Sequence, residues 1–111
     1  MDAGGSVEKI IKSLIQSGDW QVSIHGQRKL QERQLLLSEI LEASISATVV
    51  EEYPNYFHGP SILFLAKMAD GLEIHVMWGI KEPEAITAYL VTAYIPDPDE
   101  WLSDNVTRKE T

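Results

Sequence analysis

"SILFLAKMADGLEIHVMWGIK", Ser61 to Lys81, decides the fold class. Two runs of aliphatic, β-branched and aromatic residues flank Asp70-Gly71, a dipeptide that accepts the backbone angles of a tight reversal. The stretch therefore predicts two antiparallel strands joined by a hairpin. In the second run Leu72, Ile74, Val76, Trp78 and Ile80 alternate onto one face and leave Glu73, His75, Met77 and Gly79 on the other. Upstream, "SATVVEEY" (46–53) ends at the Pro, Asn and Gly of "PNYFHGP" (54–60). Downstream, a Glu-Pro-Glu break at 82–84 precedes "AITAYLVTAYI" (85–95), apolar at almost every position, as in a strand buried on both faces. Four antiparallel strands follow, with connections too short for parallel crossovers.

The first half of the chain has helical spacing. "SVEKIIKSLIQSG" (6–18) sets Val7, Ile10, Ile11, Leu14 and Ile15 on one stripe, with Ser6 as N-cap and Gly18 just past the end. A second helix is predicted from Ser23 to about Gln34 and a third from Ser38, as N-cap, to about Ala43, joined by a leucine run at 35–37 that should be buried. Helices followed by an antiparallel sheet make an α+β fold, N-terminal helices packed on one face of a four-stranded sheet. The other face is open or covered only by loops and the tail. Residues 102–111 turn polar and are expected to be a flexible tail, and the 111 residues read as a single domain without repeats.

Composition narrows the function classes. There is no cysteine, hence no disulfide framework and no thiolate zinc site, which suits a reducing cytoplasm. The start shows no signal-peptide pattern, and the apolar runs fall far short of the ~20 residues that span a bilayer, so no membrane role is expected. The net charge of -8 is uneven, about -1 over residues 1–50 and -7 over 51–111. Such a surface repels polyanions at long range and disfavours general RNA binding, so phosphate chemistry would have to be local.

One stretch runs against that balance. "SIHGQRKLQERQ" (23–34) carries His25, Arg28, Lys29 and Arg33. At about 100° per residue, Lys29 and Arg33 lie roughly 40° and 80° from His25, a ridge over about two turns, with Arg28 about 60° to the other side. In the first turn His25 feels the positive end of the helix dipole, which favours a neutral imidazole and a bound anion. The ridge is either an imidazole for proton transfer beside two cations, or a solvated face with Glu32 paired to Arg28 or Lys29. On the third strand His75 is either hydrogen-bonded to a neighbour or a second reactive group, on the face away from the apolar stripe. Thr92 and Tyr94 share a face of the last strand, where Tyr94 has a proton to donate. His25, His58 and His75 lie in separate segments without metal-binding spacing, and no glycine-rich phosphate loop occurs. No metal and no cofactor are expected.

"SIHGQRKLQERQ" resembles the opening of the bacterial domain-of-unknown-function family 4258, and "TAYIPDPDEW" (92–101) resembles its closing signature. The resemblance covers roughly residues 20 to 101, leaving the first helix and the tail outside. It implies a fold similar to the RelE and ParE toxins, whose active members are mostly metal-independent endoribonucleases that let a ribose 2′-hydroxyl attack the adjacent phosphodiester. Carried over, His25 would be the base, Lys29 and Arg33 would stabilise phosphate, and His75 or Tyr94 would be the acid, with Thr92 at a further matching position. Lys29 stands where the family usually has arginine, keeping the charge but losing the bidentate fork, and Gln34 replaces the glycine that normally ends the helix. An antitoxin or other protein partner is implied, RNA is a second candidate, and a homodimer stays open. The rival expectation is a non-catalytic protein-interaction module of the same fold, with the His25 ridge clamped to the end of the last strand near Tyr94 and Asp97.

Overall fold

The computed structural model describes residues 3–81 and 86–110; the Glu-Pro-Glu break at 82–84 and Thr111 lie outside the described residues. These form an α+β domain in the order α1 (Ala3–Gln16), β1 (Trp20–Val22), α2 (Ile24–Glu32), α3 (Leu37–Ile45), β2 (Thr48–Tyr53), β3 (Ser61–Lys67), β4 (Glu73–Gly79) and β5 (Ala88–Tyr94). The sheet has five strands rather than the expected four, in the order β1-β5-β4-β3-β2. Asp70-Gly71 turns β3 into β4, with Gly71 at φ +91°.

The extra strand overturns the all-antiparallel expectation. β1 runs parallel to β5, pairing Trp20 with Ala88, Gln21 with Tyr89 and Val22 with Leu90. Three residues are too few to show a period, and α2, α3 and three strands supply the long connection a parallel pair needs. β5 is therefore flanked by β1 and β4 over Ala88–Leu90, but it is not buried on both faces as its apolar sequence suggested: Val91 is 37% and Ile95 55% exposed, because the helices cover only one face. Between Leu90 and Thr92 its register with β4 shifts, so that Val91 is an extra residue. This bulge lets both Leu90 and Ala93 be buried although they are three apart.

One core joins Ile11 and Ile15 of α1, Leu30 of α2 and Ile40 of α3 to Phe64, Val76, Trp78 and Leu90 of the sheet. The Trp78 indole N–H inside it donates to the Ser44 hydroxyl at 2.9 Å, which donates in turn to the Ile40 carbonyl at 2.6 Å. α1 starts at Ala3, so Ser6 lies within the helix and is not its cap. α3 starts at Leu37 behind Leu36, which offers no capping side chain, so Ser38 is not its cap either. The leucine run is only partly buried, Leu35 being 6% and Leu36 62% exposed.

α1 and α2 end in the same way with different residues. In each, the second residue past the cap bonds back to the third-last carbonyl: Asp19 N–H to Leu14 at 2.8 Å and Leu35 N–H to Leu30 at 2.9 Å. The intervening left-handed residue is Gly18 (φ +84°) after α1 and Gln34 (φ +58°) after α2. Gln34 thus adopts the glycine conformation with a Cβ that opposes it. Gln34→Gly is expected to stabilise the fold by about 1 kcal/mol in urea unfolding, and a loss of stability would contradict this account. Ser44→Ala should cost about 1–3 kcal/mol by stranding the Trp78 N–H in the core. In a Trp78→Phe background the same change should cost less.

Candidate functional site

The basic ridge becomes one wall of a cleft. Ser23 caps α2 by accepting the Gly26 N–H at 2.9 Å, which starts the helix just where β1 ends. α2 then lies against the part of β5 that β1 no longer pairs with. His25, Lys29 and Arg33 line a cleft of about 180 Å³ whose opposite wall is Leu90 to Ala93, Thr92 included.

The three side chains are engaged differently. Arg33 Nη1 donates to the Ala93 carbonyl at 2.8 Å and to Thr92 Oγ1 at 3.3 Å, tying the last turn of α2 to β5. Lys29 sits 3.5 Å from Glu32, an exposed pair of the kind worth only a few tenths of a kcal/mol, so its ammonium can turn toward the cleft. Among the described residues His25 has no hydrogen-bond partner, and it is exposed.

His75 and Tyr94 lie elsewhere. His75 lies on the side of β4 away from the core stripe, as its alternation predicts, and is fully buried there because the C-terminal segment covers that end of the face. Its Nε2 is 2.7 Å from the Asn105 carbonyl, which can only accept, so that nitrogen carries the hydrogen. Nδ1 faces the Tyr94 hydroxyl at 3.4 Å, and the Trp101 ring stands edge-on with its centroid 4.5 Å from the imidazole. Burial pushes the Tyr94 phenol above its ordinary value. The structure therefore gathers His25, Lys29, Arg33 and Thr92 at one place and sets His75 and Tyr94 at another.

The cover over His75 comes from Trp101 and from residues 102–109, which belong to the segment expected to be a flexible tail. Trp101, 2% exposed, bridges to Arg108, and Leu102 N–H donates to the Thr107 carbonyl at 2.8 Å. Asp104 holds the intervening turn by accepting from the Val106 and Thr107 backbones. Arg108 lies over the Trp101 ring at 4.4 Å and grips Glu51 of β2 with two bonds, Nε to Oε2 at 2.7 Å and Nη2 to Oε1 at 2.9 Å. Tyr53 also donates its hydroxyl to Glu51. The Arg108 bonds hold the Glu51 carboxyl below its ordinary range, and burial together with Glu51 pushes the Tyr53 phenol up to about 12. We call residues 97–109 the strap. Sequence reasoning missed it because its polar composition matches a disordered tail; Trp101, an isolated large aromatic, is the signal that pointed the other way.

Elsewhere, His58 packs against Phe57 with ring centroids 3.8 Å apart. Among the described residues no group of three or more His, Asp or Glu side chains is placed to hold a metal ion, and no helix is long and apolar enough to cross a membrane. The model of a family described as a domain of unknown function, DUF4258, matches residues 22–95, more than half of the chain. The match contains the cleft and β2 to β5 and stops before the strap. No curated protein and no solved structure matches.

The strap's tie to β2 makes a pH-dependent prediction. Because the folded-state value of Glu51 is lowered, its contribution is complete above the ordinary value of 4.5 and is lost as pH falls through the folded value. At pH 7 Glu51→Gln should melt below the parent, and the gap should close as pH drops below 4.5. A gap that stayed constant into strong acid would show that the carboxylate is not what Arg108 holds.

Proposed function

The chain belongs to the DUF4258 family, and on that premise we propose that its α2–β5 cleft acts on an RNA phosphodiester. In this reading the domain is RelE-like and is a metal-independent endoribonuclease, or descends from one. The convergence of His25, Lys29 and Arg33 with Thr92 in a single cleft supports it most directly. His25 accepts the proton of a ribose 2′-hydroxyl, the 2′-oxygen bonds to phosphorus, and the bond from phosphorus to the 5′-oxygen breaks. Lys29 and the Arg33 nitrogens not used by β5 meet the charge on the phosphoryl oxygens. His75 is buried behind the strap and Tyr94 is not among the residues lining the cleft, so the leaving 5′-oxygen takes its proton from solvent. That makes for slow cleavage, in keeping with the acidic surface RNA has to approach. A bacterial cytoplasm, with an antitoxin as partner, is the setting this reading requires.

A second reading, a non-catalytic protein-interaction module, draws on a different observation: Arg33 already spends two hydrogen bonds on β5 and so serves as a clamp. The two readings separate on variants assayed on short RNA with chelator present. Under the first, His25→Ala keeps the parent's melting temperature and loses about 100-fold or more in cleavage rate. His75→Ala, in contrast, melts lower but cleaves at the parent's rate while folded. If cleavage is absent in the parent or unchanged in His25→Ala, the nuclease reading falls and the interaction module stands.

A further inference from the structure

The sheet face that carries His75 is divided between two environments. The strap covers the end where His75 pairs with Tyr94. The other end, where Gly79 pairs with Tyr89, stays open as a groove of about 790 Å³. Tyr56, Phe57 and His58 of the β2–β3 connection form one side, and Lys81 and Tyr89 the other. The groove and the α2–β5 cleft share Ser23, Leu90 and Val91, so the two are continuous around the bulge in β5.

The aromatic side is held in place without being buried. Phe57 is 81% exposed, yet its ring packs against His58 at 3.8 Å and Tyr56 at 5.0 Å. The connection is docked at Gly59, whose φ is +116° and whose missing Cβ would stand 2.1 Å from the Ile80 carbonyl oxygen. Any other residue there would push the aromatic triplet off the end of β4. Across the groove the Lys81 ammonium lies 5.1 Å from the centre of the Tyr89 ring. Among the described residues that line the groove there is no carboxylate, in a chain with 17 Asp and Glu. Exposed ring faces, a lysine and an adjoining basic cleft are complementary to a flat heterocycle attached to a phosphate.

We propose that this groove is a base-binding subsite, in which single-stranded RNA stacks a nucleobase on Phe57 and Tyr89 while its phosphate sits between Lys29 and Arg33. The inference rests on the phosphodiester reading of the cleft and names how the substrate is selected. Stacking tolerates every base, so selection is for unpaired strands rather than for sequence. It also supplies attraction that an acidic surface does not.

The test is an NMR titration with two probes, inorganic phosphate and a short 2′-O-methyl oligouridylate that cannot be cleaved. The oligonucleotide should shift the Phe57 and Tyr89 ring signals together with His25, whereas phosphate should shift His25 alone. Phe57→Ala should weaken oligonucleotide binding about tenfold and leave phosphate binding unchanged, and Phe57→Trp should restore it. If the oligonucleotide moves His25 but neither ring, and Phe57→Ala binds like the parent, the subsite is overturned while the cleft reading stands. Silence of His25 toward both probes overturns both. Ring signals that respond only to protein concentration, with a rising sedimentation coefficient, assign the groove to a second copy of the chain and also overturn the subsite.

Discussion

The parallel pairing of three residues, Trp20–Val22, with Ala88–Leu90 is the constraint from which the candidate site follows. It is reinforced by the Ala88 N–H donating to the Asp19 carbonyl at 2.9 Å. Because β1 stops at Val22 and Ser23 at once caps α2, the helix is laid against β5 where that strand has lost its neighbour. The unpaired part of β5 then meets a basic helix face instead of another strand, and Arg33 satisfies the Ala93 carbonyl that pairing would have used. A longer β1 would continue pairing along β5 and take the place of the helix. The shortness of the strand and the existence of the cleft are the same fact.

The bulge at Val91 does related work from the other side. It keeps Leu90 and Ala93 buried while the strand bends, and it leaves Val91 on the line where cleft and groove meet. On the same face the strap closes the far end, where the His75 imidazole bonds the Asn105 carbonyl and packs against Trp101. A histidine that would cost stability if buried without partners is here the polar core of a second, small contact layer. Glu51 and Arg108 close that layer at its rim through a bidentate pair stacked on an indole, a firmer arrangement than an ordinary surface ion pair.

Local patterns were legible where a residue and its consequence lie within a few positions. The Asp70-Gly71 hairpin, the start of α2 at Ser23, the Gly18 terminus of α1 and the apolar face of β4 all depend on neighbours in sequence. The His25, Lys29 and Arg33 ridge was legible for the same reason, since helical rotation alone places them. Ser6 and Ser38 misled because residues upstream of each, Ala3 and Leu37, could extend the helix past them. A cap is chosen by where helical hydrogen bonding stops, and that depends on packing as well as on residue type.

The sequence by itself determined the class of fold, the hairpin, the basic face of α2 and the absence of any thiol chemistry, because each follows from periodicity, turn stereochemistry or composition. Only the tertiary structure decided that β1 exists, that Thr92 faces the ridge, and that His75 is buried behind a strap with Tyr94 beside it rather than in the cleft. The physical reason is the same in each case. These are contacts between segments tens of residues apart, formed because buried backbone and polar groups must find partners, and no local pattern records which distant partner is found.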